Sequence, residues 1–229
     1  MAGGLTDLFS RFGGRRSDAP GATAASAAAS PAAPELVYPT KALPKFLAAM
    51  AGKPSPAILD LGPVVGSNVS FFGEELGCRL RVEDVIADIE AHAAAGTTDQ
   101  LPAFFRTRFK SEPGSVDGVL CWDVFDYLEK DAATALAAAL TRLLGADGAL
   151  LGFFSTATDP GRAHYTKYTV VDQGSLRYRT YPGTRVRQRS LQNRDIIKMF
   201  ETLRVSDSFL MKTNMRELIF RKPAYLAGL

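Results

Sequence analysis

The chain has 229 residues, 46% of them apolar, enough for one full-sized globular core plus a tail. Its 27 basic and 24 acidic side chains leave a formal net charge of +3, which excludes a generally polybasic nucleic-acid coat. Cys78 and Cys121 sit in apolar runs and read as reduced core thiols of a cytoplasmic protein, while two distant histidines, His92 and His164, argue against a metal centre.

Residues 1–16 hold one short amphipathic turn (Leu5, Leu8, Phe9, Phe12), too short for a secretory core; Asp7 and Asp18 also count against a transit peptide. No apolar run of about 18 residues offers a membrane span. Residues 17–34 are Ala/Ser/Pro-rich and read as a linker, so the chain divides into a disordered tail at 1–34 and one domain at 35–229.

Within the domain, Lys41 to Gly52 places Leu43, Phe46, Leu47 and Met50 on one helical face. "AILDLG" from Ala57 is a strand buried on both faces, and Ser67 or Asn68 is the expected cap of a helix whose inward stripe is Val69, Phe72 and Leu76. A second strand at 79–85 and a helix through "IADIEAHAAAG" follow. The run 116–128, "VDGVLCWDVFDYL", is a strand leading into a turn, with an alanine-rich helix behind it and another buried strand in "ALLGFFST". A late helix, "NRDIIKMFETL", precedes two strands joined by a tight Thr213-Asn214 turn. The alternation predicts an α/β doubly wound, mostly parallel sheet with helices on both faces and an antiparallel C-terminal hairpin strand.

Ligands of such sheets collect outside the carboxyl ends of the strands. Three ends are legible: Asp60 to Gly66, then Glu83-Asp84 with apolar Val85 and Ile86 behind, and Cys121-Trp122-Asp123. Glycines let a backbone approach a polar chain, a carboxylate holds ribose hydroxyls, and apolar side chains hold a base.

At these residues the sequence resembles the class I S-adenosylmethionine-dependent methyltransferases, over about residues 36–223. "ILDLGPVVGSNV" is similar to the family's first motif through Asp60, Gly62 and Gly66, with Val64 in place of its middle glycine. Asp84, or Glu83 beside it, is similar to its ribose-binding acid. The resemblance implies S-adenosylmethionine as cofactor, held by Asp60, Gly62, Gly66, Glu83, Asp84, Val85 and Trp122, and no metal. It also implies an adenine-binding acid after a third strand, to fall near 105–114, where Arg106, Arg108 and Lys110 stand and Glu112 comes late. A nicotinamide reading fits less well, because Gly-x-Gly-x-x-Gly is absent. Asp123 is the candidate base, with capping of the following turn as its alternative role.

Residues 162–194 form an insert with eight cationic side chains, four tyrosines and one acid, Asp172. Its alternation predicts a β-hairpin turning at Asp172-Gln173-Gly174. It is the candidate contact for a small-molecule or anionic acceptor, with nucleic acid also open, or for a second copy of the chain in an oligomer. As a lid it would bring His164, Tyr165 or an arginine over Gly62 and Asp123; as an assembly surface it would lie at the sheet edge. Methyl transfer to an unidentified acceptor is the leading function, and a non-catalytic methyltransferase-like binding or assembly module is the alternative.

Overall fold

The computed structural model describes residues 36–157, 164–184 and 191–224. The expected tail and linker at 1–34 lie outside the described residues, as do Arg162, Arg185, Arg187 and Arg189 of the insert.

The described chain runs β1 (Leu36–Pro39), α1 (Ala42–Met50), β2 (Ala57–Asp60), α2 (Gly66–Ser70), β3 (Arg79–Val82), α3 (Val85–Ala94) and α4 (Leu101–Arg108). It continues through β4 (Val116–Trp122), α5 (Lys130–Leu143), β5 (Leu144–Ser155), β6 (His164–Asp172), β7 (Ser175–Pro182), α6 (Asn193–Met199), β8 (Arg204–Leu210) and β9 (Met215–Arg221). Six strands form the main sheet in the order β3-β2-β4-β5-β9-β8. The first four are parallel, and β9 runs antiparallel to both β5 and β8. The expected α/β architecture with a reversed final hairpin is therefore present.

Alternate strand residues feed two cores, as the period of two requires. Leu59, Val119, Cys121, Leu150 and Phe220 meet α3, α4, α5 and α6 on one face. Ile58, Leu120, Trp122, Leu151 and Phe153 meet α1, the segment after α2 and the inserted hairpin on the other. Gly118 is needed here because a Cβ would stand 2.7 Å from Phe46 Cζ, so its absence lets α1 sit close on β4. Cys78 and Cys121 are buried free thiols. No described helix is long and apolar enough to cross a membrane.

Two local expectations are corrected, and one element is new. Residues 105–114 carry no strand; they are the end of α4 and a loop, so the implied third strand is absent among the described residues. The helix after the glycine turn begins at Gly66 with no side-chain cap, and its turn widens into a π-helix at Phe71–Glu75. That widening turns both Phe71 and Phe72 inward and leaves Val69 exposed, while Asn68 is buried rather than capping. Finally, β1 was not legible as a strand. It pairs antiparallel with β7, making a second, three-stranded sheet β1-β7-β6 from the inserted hairpin.

Candidate cofactor crevice and its cover

Asp60 ends β2 and is 2% exposed. Its Oδ1 accepts the Gly62 backbone N–H at 2.9 Å and the Trp122 indole N–H at 2.6 Å. Burial pushes the Asp60 carboxyl up to about 6, against the opposing pull of these two donors, with the nearby Asp84 charge adding to the rise.

Trp122 ends β4 in a left-handed backbone conformation, φ +48°. A non-glycine residue held there stores about 1–3 kcal/mol, which tertiary contacts must offset. Those contacts are the Asp60 hydrogen bond, a parallel stack on Tyr168 (5.3 Å between centroids, 6° between planes) and an edge contact with Phe153. The indole lies against Gly62, where a Cβ would be 2.8 Å from Trp122 Cδ1 and 3.0 Å from Nε1. Glycine at 62 thus admits the chain's own tryptophan.

The neighbouring strand end is also engaged. Glu83 pairs with Arg108 at 2.7 Å and with Arg81 at 3.5 Å, and Arg108 also holds Asp88 at 2.9 Å. Arg108, in the stretch where an adenine-binding acid was expected, therefore serves as the counter-ion of the strand end. Asp84 accepts the Ala87 backbone N–H at 2.9 Å and caps α3. Val85 is fully buried in the core beneath α3 with Leu59 and Leu61, so it offers no wall to a base. Gly66 opens α2 with free space around it, and Val64 is exposed. Asp123 follows Trp122, is 1% exposed, and accepts from the Tyr127 hydroxyl at 3.3 Å.

The hairpin packs on one face of the main sheet next to these strand ends, with Tyr168 against Trp122 and Phe153. Asn68 fixes it on one side, donating from Nδ2 to the Tyr168 carbonyl and accepting the Val170 N–H, both at 2.8 Å. Thr184 donates to Glu90 of α3 on the other. The residue nearest Gly62 from the hairpin is Tyr168, by way of Trp122, while Tyr165 lies where it feels the Asp84 charge and Arg177 and Arg179 stand beside the glycine turn. Sequence reasoning gave Asn68 only a capping role and missed Tyr168; the alternation that places Thr166, Tyr168 and Val170 on one strand face was the available signal for Tyr168. Burial pushes the Tyr178 hydroxyl well above its ordinary value, and the Glu217 and Asp123 charges add to this.

The outward face of the same hairpin bears cations. Lys167 stands directly opposite Arg179, and Thr169 opposite Arg177. Lys167 and Arg179 both approach the Tyr181 ring, at 4.8 and 5.3 Å from its centroid. With Val64, Val65 and Ser67 of the glycine turn these residues line an open groove of about 280 Å³.

The carboxylates and glycines expected to hold a nucleoside are therefore at adjacent strand ends, but such a group does not fit them as arranged. The space over Gly62 is filled by an indole, Glu83 is held by guanidinium groups and Asp84 by a helix N-terminus. Opening the crevice requires Trp122 to move.

The sequence matches no protein-family model and no curated protein. Among solved structures it is similar to the CcbJ methyltransferase from Streptomyces caelestis, at 14% identity over 79% of this chain and 93% of that one, TM-score 0.48. It is similar also to the Burkholderia thailandensis 1,6-didemethyltoxoflavin-N1-methyltransferase, solved with S-adenosylhomocysteine, at 16% identity over 80% and 77% of the two chains, TM-score 0.46. A third is the glycopeptide N-methyltransferase MtfA complexed with S-adenosylmethionine, at 11% identity over 79% and 92%, TM-score 0.46. The chain's own ladder of strands, four parallel and then two reversed, gives it the Rossmann-like fold that the methyltransferase resemblance implies.

Proposed function

We propose that the chain is an S-adenosylmethionine-dependent methyltransferase of the cytoplasm, with an anionic small-molecule acceptor met at the cationic groove. The supporting observation is convergence: Asp60, Gly62, Glu83, Asp84 and Asp123 gather at adjacent carboxyl ends of parallel strands, under a cover inserted directly after β5. The groove supports the acceptor class, since Lys167, Arg177 and Arg179 bring cationic side chains together along its wall.

The second reading is a non-catalytic binding module of the same fold, and Trp122 seated on Gly62 favours it. Calorimetry of the full chain with S-adenosylmethionine and S-adenosylhomocysteine decides between them. Saturable binding below about 1 mM supports the methyltransferase; no heat at several millimolar, with the protein folded, supports the module.

A further inference from the structure

We infer that Trp122 is the residue that sets cofactor affinity: its indole occupies the place beside Gly62 that a nucleoside cofactor's polar arm needs, and a ligand enters by displacing it. The inference rests on the proposed function for the identity of the ligand, and on geometry for the rest. Gly62 has no Cβ, yet the nearest atoms to the place of one belong to Trp122, at 2.8 and 3.0 Å. The indole N–H occupies Asp60 Oδ1 at 2.6 Å, the same oxygen that holds the Gly62 N–H. A ligand that approaches Gly62 from the side a Cβ would take must therefore take that volume and break that bond.

The device also links the crevice to its cover. Tyr168 stacks flat on the indole from β6, and Tyr178 meets Tyr168 edge-on at 4.9 Å from β7. Moving the indole removes one of the surfaces against which the hairpin packs, so cofactor entry perturbs the Tyr168 side of the cover. The left-handed backbone at Trp122, φ +48°, stores strain that the closed arrangement must offset and that glycine would not carry. Affinity is then lowered by the fraction of molecules in which the indole has left. Loss of a charge-assisted hydrogen bond together with an aromatic stack corresponds to about a 10- to 100-fold reduction.

Trp122 is the only tryptophan in the chain, so it reports on itself. The experiment titrates S-adenosylhomocysteine into the wild type, Trp122→Gly, Trp122→Phe and Tyr168→Leu. Binding is followed by calorimetry in all four, and indole emission and acrylamide quenching in the two that keep the tryptophan. Trp122→Gly suits the left-handed backbone but empties a buried position, so the fold of each variant is checked by circular dichroism before titration. Tyr168→Leu loosens the indole without touching Gly62. The expected result is affinity raised about 10- to 100-fold in Trp122→Gly and more modestly in Tyr168→Leu, with wild-type emission moving to the red on saturation. Equal affinity across the four, with wild-type emission unchanged at saturation, overturns the inference and leaves the proposed function standing. No binding by folded Trp122→Gly at 5 mM, about the concentration where millimolar affinity would show, overturns the proposed function and the inference with it.

Discussion

Replacing Asp60 by asparagine should remove a pH dependence that this one carboxyl imposes on the fold. Burial raises it from 3.8 to about 6, although it accepts two N–H groups. A rise of about two units at about 1.4 kcal/mol each gives roughly 3 kcal/mol of linkage. For a carboxyl whose folded value is raised, the stabilising contribution is fully present below the unfolded value, near pH 4. It is lost as pH rises through about 6, because the folded state must then hold a buried anion. The asparagine side chain would keep an oxygen for Gly62 and Trp122 and carry no charge. The stability of Asp60→Asn relative to the wild type should therefore climb by about 3 kcal/mol between pH 4 and pH 7, most of it before pH 6.5. Urea unfolding by far-ultraviolet circular dichroism at half-unit pH steps measures the difference, and other carboxyls cancel in it. A difference that stays flat within about 0.5 kcal/mol across that range refutes the placement of Asp60 in a dry site.

Asn68→Ala strands the Val170 N–H and the Tyr168 carbonyl, both buried, and should cost about 2–4 kcal/mol, a fall of roughly 4–16 °C in Tm. Hydrogen exchange should show β6 and β7 amides losing protection ahead of β4 and β5; uniform loss counts against the hairpin as a separately anchored cover. Glu217 of β9 is fully buried and its Oε2 accepts from Thr40 Oγ1 and the backbone N–H groups of Lys41 and Ala42. Glu217→Ala should cost about 3 kcal/mol or more by denaturant melt, while Glu217→Gln, which keeps one acceptor oxygen, should cost less; equal losses refute the role in seating α1.

The sheet was legible because its information is local. "AILDLG", "VDGVLCW" and "ALLGFFS" are apolar runs of strand length between helical periods, and each became a central parallel strand. The Thr213-Asn214 turn was readable for the same reason, with Asn214 at φ +56° supplying the left-handed step. What escaped depends on partners distant in sequence. "LVYP" is a strand only because β7 lies beside it, with Tyr38 facing Tyr178 at 4.7 Å. The segment after Gly66 kept its helical character, but one widened turn rotated the stripe, and no spacing rule announces a π-helix.

The site divides along the same line, and the division bears on function. The sequence places Asp60, Gly62, Glu83, Asp84 and Asp123 at strand ends, because end positions follow from the strands themselves. It does not say what each end will bind. Glycine at 62 is compatible with a ligand's approach and equally with an indole from β4. Only the Trp122–Asp60 bond, 62 residues apart along the chain, distinguishes them. Glu83 is compatible with a ribose and equally with Arg108, and the ion pair at 2.7 Å chooses the second in this conformation. A motif therefore fixes where a nucleoside could sit, while long-range contacts fix whether the place is free. Here the groups at that place are Trp122 in a left-handed backbone conformation and the Tyr168 stack, under a hairpin held by Asn68 and Thr184. A fold can fill such a crevice with unstrained apolar side chains. This one fills it with a residue in a costly backbone conformation, hydrogen-bonded to a carboxylate whose ionisation burial already opposes. A crevice that opens would recover this cost when a ligand displaces Trp122.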